Sequence, residues 1–161
     1  MKTILTLGIF GLVAVAWAVP PQGTLPTGVA SQGQRGEPPL ACGDYLKQMG
    51  RERPDIHFVG CRSINGDDLE TPGFVATYHV QGKDIGTIDA WLATWANWKH
   101  LRFECCQWDS PKGFYRDQHG SSYELNLFAD AYLHGHMVDQ RTNLAQLPYA
   151  TLTVTHYLYL P

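Results

Sequence analysis

The most reactive side chains in the sequence are two adjacent cysteines, Cys105 and Cys106, in the segment FECCQWD. A redox site of the thioredoxin type separates its cysteines by two residues at the start of a helix. Zinc sites commonly use Cys-x-x-Cys or His-x-x-x-His spacing. Here the cysteines are adjacent and lie in an alternating, strand-like run, so two structural disulfides are favoured over a redox pair or a metal clamp.

The pairing of the four cysteines is predicted from the alternation of side chains along a strand. In the predicted strand His100–Asp109, Cys105 falls on the apolar face and Cys106 on the opposite face. A first helix that carries Cys42 should pack on the apolar face, whereas Cys61 shares the side of Cys106. The predicted pairs are Cys42–Cys105 and Cys61–Cys106. The alternative joins Cys42 to Cys61 and leaves the adjacent pair bonded to each other or free.

Two histidines around a glycine, His134 and His136, form the best metal-like cluster, with Asp130 and Asp139 nearby. Imidazoles two residues apart can share one ion, and a carboxylate can complete the shell. The alternative is a solvated turn with no ligand.

A thiol- or histidine-dependent enzyme is a second alternative. His57 and His79 fall on the outer faces of neighbouring predicted strands, and Cys106 with Glu104 would have to lie beside them. No phosphate-binding glycine loop, nucleophile elbow or zinc-protease helix occurs, so no cofactor is predicted.

Aromatic residues indicate either core packing or a contact surface. The tryptophans of the segment TIDAWLATWANWKH share a helical stripe with isoleucine and leucine, which favours core packing, and Trp98 at its end is expected to be partly exposed. Sugar binding through Trp98 and Trp108 is an alternative. Tyr149, Tyr157 and Tyr159 are predicted on the outer side of the sheet, where tyrosines favour interfaces.

The first 41 residues are predicted to contribute no side chains to the hydrophobic core. Residues 1–18 have the lysine, apolar run and Ala-Trp-Ala end of a signal peptide, which predicts a secreted or periplasmic protein with no membrane insertion after cleavage. Residues 19–41 are rich in proline and glycine and are predicted to be a disordered linker. The chain has 12 Lys+Arg against 15 Asp+Glu with no basic run, which disfavours a nucleic-acid partner.

Residues 42–161 are predicted to form one disulfide-stabilised α+β domain. The periodicities predict an order α-β-β-α-β-β-β, an antiparallel sheet of about five strands and two helices on one face. The predicted elements are the helices 42–50 and 87–100 and the strands 56–64, 74–82, 100–109, 122–133 and 149–160.

The cysteine helix with Cys61, the strand ATYHVQG, the helix IDAWLATW and the segment LRFECCQWD together resemble an uncharacterised family of small secreted bacterial proteins. The mark of that family is an adjacent cysteine pair followed, one residue on, by tryptophan. The resemblance covers roughly Cys42 to Asp109 and implies a bacterial, exported setting, with no catalytic residues to transfer.

These observations favour a non-enzymatic domain that binds another protein, such as an inhibitor or an envelope accessory factor. The enzyme and metal-binding alternatives depend on whether the fold brings their residues together.

Overall fold

The computed structural model describes residues 41–64 and 72–157 of the chain. The predicted signal peptide (1–18) and nearly all of the predicted linker (19–41) lie outside the described residues, as does Tyr159. Among the residues described, no helix is long and apolar enough to cross a membrane.

The described residues form an α+β fold around a seven-stranded sheet in the order β1-β2-β9-β6-β4-β3, with β5 also paired to β6. Every strand pair described is antiparallel. The strands are β1 Ile56–Ile64, β2 Gly73–Gln81, β3 Arg102–Glu104, β4 Gln107–Asp109, β5 Gly113–Arg116, β6 Ser122–Asp130, β7 Tyr132–Leu133, β8 His136–Met137 and β9 Tyr149–Tyr157. The helices are α1 Tyr45–Gln48 and α2 Ile85–Leu92, with short 3-10 helices at Gly82–Asp84 and Arg141–Gln146.

Both α-helices pack on one face of the sheet, which we call the helix face. In β6 this face is apolar and buried at alternate positions, among them Leu125 and Leu127, and α2 places Ile88 and Leu92 in the same core. The opposite, outer face carries alternate residues of the central strands, namely Thr77, His79, Asn126, Phe128, Thr151 and Thr153. The predicted α+β class with an antiparallel sheet is therefore confirmed, whereas the predicted element order α-β-β-α-β-β-β differs from the observed one.

The N-terminus of α1 is fixed to β2 by hydrogen bonds. The Tyr78 hydroxyl donates to the Asp44 carboxylate at 3.0 Å and accepts from the Leu46 backbone N–H at 3.1 Å. Asp44 also caps the helix by accepting from the Lys47 backbone N–H. Burial raises the pKa of Tyr78, so it remains a donor at physiological pH.

A β-bulge in β1 overturns the predicted cysteine pairs. The register shifts between Phe58 and Gly60, so one extra residue is inserted into the strand. Cys61 consequently lies on the helix face together with Ile56, although simple alternation puts them on opposite faces. There it forms a disulfide with Cys42, which precedes α1. The prediction Cys42–Cys105 and Cys61–Cys106 is wrong, and the alternative Cys42–Cys61 is the pair in the structure.

The predicted strand 100–109 is instead a tight hairpin of β3 and β4. Its two-residue loop is Cys105–Cys106, and Phe103 pairs with Trp108 across it. Because Trp108 also pairs with Ala129 on β6, it lies on the helix face, whereas an unbroken strand would place it on the outer face. Cys105 and Cys106 are free and exposed.

Several element boundaries also differ from the prediction. The expected helix 87–100 ends at Leu92, the predicted loop after Asp109 contains β5, and the predicted strand 122–133 divides into β6 and β7. The sheet therefore has seven strands rather than about five.

Candidate functional site

The free cysteines line an open groove of about 550 Å³ on the outer side of the sheet. We call it the thiol groove; its lining residues are Glu104, Cys105, Cys106, Gln107, Phe128 and Asp130. The β3–β4 loop forms one wall and the end of β6 forms the other. This side of the sheet therefore offers a solvent-accessible depression with an aromatic residue, two thiols and two carboxylates.

The loop that presents the thiols has an unusual backbone. Cys105 has a φ of 59°, a value that glycine adopts far more readily than other residues. The Cys106 backbone N–H donates to the Glu104 carbonyl at 2.8 Å, and the Cys106 carbonyl accepts from Ala131 N–H at 3.1 Å. The loop is thus anchored on both sides, and its backbone conformation breaks the side-chain alternation of a strand.

The surroundings of Cys106 do not activate it as a nucleophile. Its hydrogen bond with Cys105 raises the pKa of the Cys106 thiol, and the Asp130 carboxylate raises it further. Catalytic cysteines are instead activated by a neighbouring cation or a helix N-terminus, which lowers the pKa. The thiol of Cys106 is therefore protonated at neutral pH.

A second groove of about 280 Å³ adjoins the first and shares Phe128 and Asp130 with it. We call it the tyrosine groove; its other lining residues are Ala129, Tyr132, Pro148, Tyr149 and Thr151. Tyr132 and Tyr149 are 59% and 47% exposed, high values for aromatic side chains. The two grooves therefore lie side by side at the end of β6.

His57 and His79, proposed with Cys106 as an enzyme site, are not brought to the thiols. The two histidines do lie opposite each other across β1 and β2, and the His79 ring stacks on Tyr149 at 4.4 Å. Strands β9 and β6 separate β2 from β4, which places the Cys106 loop three strand spacings, or about 14 Å, from His79. The structure therefore does not assemble this enzyme site.

The predicted metal ligands occupy a turn. His134 and Gly135 form the two-residue loop between β7 and β8, with φ of 48° and 86°. Positive φ at both positions is typical of a type I′ hairpin turn. His136 is also exposed, and the described part of the chain contains no group of three or more histidine, cysteine or acidic side chains placed to hold a metal ion.

The predicted contact aromatics fall into two groups. Trp108 is only 3% exposed, and its indole N–H donates to the Val138 carbonyl at 2.7 Å, so it is a core residue and sugar binding through it is contradicted. Trp98 is half-buried over Gly113. Tyr149 and Tyr157 do lie on the outer face, and their role in an interface stays a prediction.

Sequence reasoning missed a buried carboxylate, Asp89, in the middle of α2. It is fully buried and accepts hydrogen bonds from the Trp98 indole, the Leu101 backbone N–H and the His100 imidazole, and it forms an ion pair with Arg141. Burial alone would raise the Asp89 pKa, but these hydrogen bonds outweigh it and the pKa is lowered. The sequence feature that could have revealed Asp89 is its position three residues before Leu92, on the buried side of α2.

Residues 33–108 match the model of a family described as a domain of unknown function (DUF4952). The matched segment includes all four cysteines and ends at Trp108, so it coincides closely with the region of the resemblance noted from the sequence. No curated protein and no solved structure matches the chain significantly.

Proposed function

We propose that this chain is an exported, non-enzymatic binding domain whose contact surface is the joined thiol and tyrosine grooves. Its partner is a basic, extended segment of another protein. The signal peptide predicted from residues 1–18 supports export. The single observation that carries the proposal is the pair of adjoining grooves that share Phe128 and Asp130 and are bordered by exposed tyrosines.

The shape of the surface favours a polypeptide over a small-molecule substrate. Small-molecule sites are enclosed and bury most of their ligand, whereas the larger thiol groove is an open depression. Exposed Tyr132 and Tyr149 supply the rigid aromatic contacts that protein interfaces favour. A peptide laid across the end of β6 would contact both grooves at once.

The charge of the grooves favours a basic partner. Glu104 and Asp130 both line the thiol groove, and no lysine or arginine is among the described residues that line either groove. Glu104 does have a neighbour, Arg102, at 3.4 Å, but both side chains are more than half exposed. Such a surface pair is weak and can be exchanged for a ligand cation.

The proposal is tested with a fluorescein-labelled short peptide that alternates lysine and tyrosine, and with an equivalent peptide of glutamate and tyrosine. Fluorescence anisotropy should show the basic peptide binding with a dissociation constant of about 0.1–1 mM, since a short ligand in an open groove gains only about 4–6 kcal/mol. Asp130→Asn and Glu104→Gln should each weaken binding by about two- to fivefold. Higher salt should weaken it further.

The matched control is Glu52→Gln, which removes an equally exposed carboxylate that lines neither groove. It should leave the affinity unchanged. Equal affinity for the acidic peptide, or an equal loss of affinity in all three variants, would contradict the proposed surface.

A further inference from the structure

Cys105 and Cys106 are free cysteines in a fold that also contains one disulfide, Cys42–Cys61. Both thiols are exposed. Neither is near the Cys42–Cys61 bridge, because β3 and β1 are the opposite edges of the sheet. Within the described part of the chain, each of these thiols therefore has the other as its only accessible cysteine partner.

The turn removes the usual obstacle to a bond between neighbouring cysteines. In an extended strand their side chains point to opposite faces and cannot meet. Here the left-handed backbone at Cys105 breaks that alternation, because the two cysteines form the loop of a tight hairpin. Glu104 and Gln107 pair at the base of the loop, so the hairpin keeps the two cysteines together in a two-residue turn.

We propose that Cys105 and Cys106 form a reversible vicinal disulfide, a two-electron redox site at the tip of the β3–β4 hairpin, with small disulfides and thiols as its co-reactants. This inference concerns thiol chemistry and does not depend on the binding proposal.

The reaction balances as an ordinary thiol–disulfide exchange. The Cys106 thiol first loses its proton to solvent, and the small fraction present as thiolate attacks one sulfur of a small disulfide, forms a mixed disulfide and releases one thiolate. The Cys105 thiol then loses its proton to solvent, attacks the Cys106 sulfur and releases the second thiol. The protein loses two protons and two electrons, and the small disulfide takes them up to become two thiols.

The bond is expected to be easy to reduce. Adjacent Cα atoms are about 3.8 Å apart, which is shorter than the roughly 4.4–6.8 Å of ordinary disulfides. Such a bond is strained and exchanges with thiols more readily than Cys42–Cys61. Mild reductant should therefore open the vicinal bond while the structural bridge persists.

The test uses the full chain, incubated with glutathione disulfide, blocked with iodoacetamide and digested with trypsin. Cleavage after Arg102 and Lys112 isolates both thiols in one peptide, Phe103–Lys112, apart from the other two cysteines. Mass spectrometry should find this peptide unalkylated and lighter by two hydrogens. After mild treatment with dithiothreitol, the same peptide should carry two carbamidomethyl groups.

The controls are Cys105→Ser and Cys106→Ser, each of which leaves one exposed thiol. Their peptides should carry a glutathione adduct, while far-ultraviolet circular dichroism confirms an unchanged fold. A wild-type peptide that stays doubly alkylated in the oxidising buffer would overturn the inference. So would a wild-type product consisting of glutathione adducts or intermolecular dimers.

Discussion

The carboxylate of Asp89 accepts a hydrogen bond from the indole Nε1 of Trp98 at 2.9 Å, although nine residues separate them. The same carboxylate accepts from the Leu101 backbone N–H at 3.0 Å and pairs with Arg141. Asp89 therefore ties α2 to the chain entering β3 and to the 3-10 helix before β9. This buried carboxylate positions the hairpin that presents the thiols.

Replacing Asp89 by alanine should lower the free energy of unfolding by about 2–4 kcal/mol, because buried donors from Trp98 and Leu101 lose their acceptor. The control is His100→Gln, which should cost less than about 1 kcal/mol since His100 is 58% exposed and can bond to water. Urea denaturation measures both. A loss below about 1 kcal/mol for Asp89→Ala would show that the carboxylate is not a structural anchor.

The contribution of Asp89 to stability should depend on pH. Its pKa is lower in the folded protein than the ordinary value near 3.9 of the unfolded chain. The contribution is therefore complete above about pH 5 and is lost as the pH falls through the folded-state pKa. Urea titrations between neutral pH and about pH 3 should show that the free energy of unfolding of the wild type exceeds that of Asp89→Asn at neutral pH. This difference should shrink on acidification. A difference in the free energy of unfolding that grows in acid would contradict a lowered pKa for Asp89.

Removing the Cys42–Cys61 bridge by Cys42→Ser should destabilise the domain by about 2–4 kcal/mol, since the bridge closes a loop with a sequence separation of 19. The double variant Cys105→Ser, Cys106→Ser removes exposed thiols and should change stability by less than about 0.5 kcal/mol. Thermal or urea unfolding under non-reducing conditions compares them. Equal losses in the two variants would mean that the adjacent cysteines are structural.

Deleting Val59 should disrupt the Cys42–Cys61 bridge. The deletion removes the extra residue of the β1 bulge, so either Cys61 moves to the outer face or Ile56 leaves the core. We expect additional reactive thiols, a loss of about 2 kcal/mol or more in the free energy of unfolding, or both. Thiol titration and urea unfolding measure the outcome. An intact bridge with wild-type stability would show that the bulge does not set the register.

The strands with clear alternation were predictable, and the irregular positions were not. The strand 56–64 was predicted with its observed bounds, yet nothing in its alternation marks the bulge beside Gly60. A bulge moves every later side chain to the other face, so one undetected residue reversed the place of Cys61 and with it the cysteine pairing.

The hairpin loop was missed for a related reason. A two-residue loop usually contains glycine or asparagine, and here its residues are Cys105 and Cys106. The segment therefore reads as one continuous strand, and only the pairing of Phe103 with Trp108 reveals the turn. The candidate grooves depend on contacts between β4, β6 and β9, strands far apart in sequence, which periodicity does not predict.

Residue-resolved NMR of the isotope-labelled protein, titrated with the lysine–tyrosine peptide, tests the proposed contact surface most directly. The largest amide shift changes should cluster at Gln107, Phe128, Asp130 and Tyr149, and Asp130→Asn should reduce them. Shift changes centred on α1, α2 or the β1 edge, or none at millimolar peptide, would contradict the assignment of the joined grooves as the binding surface.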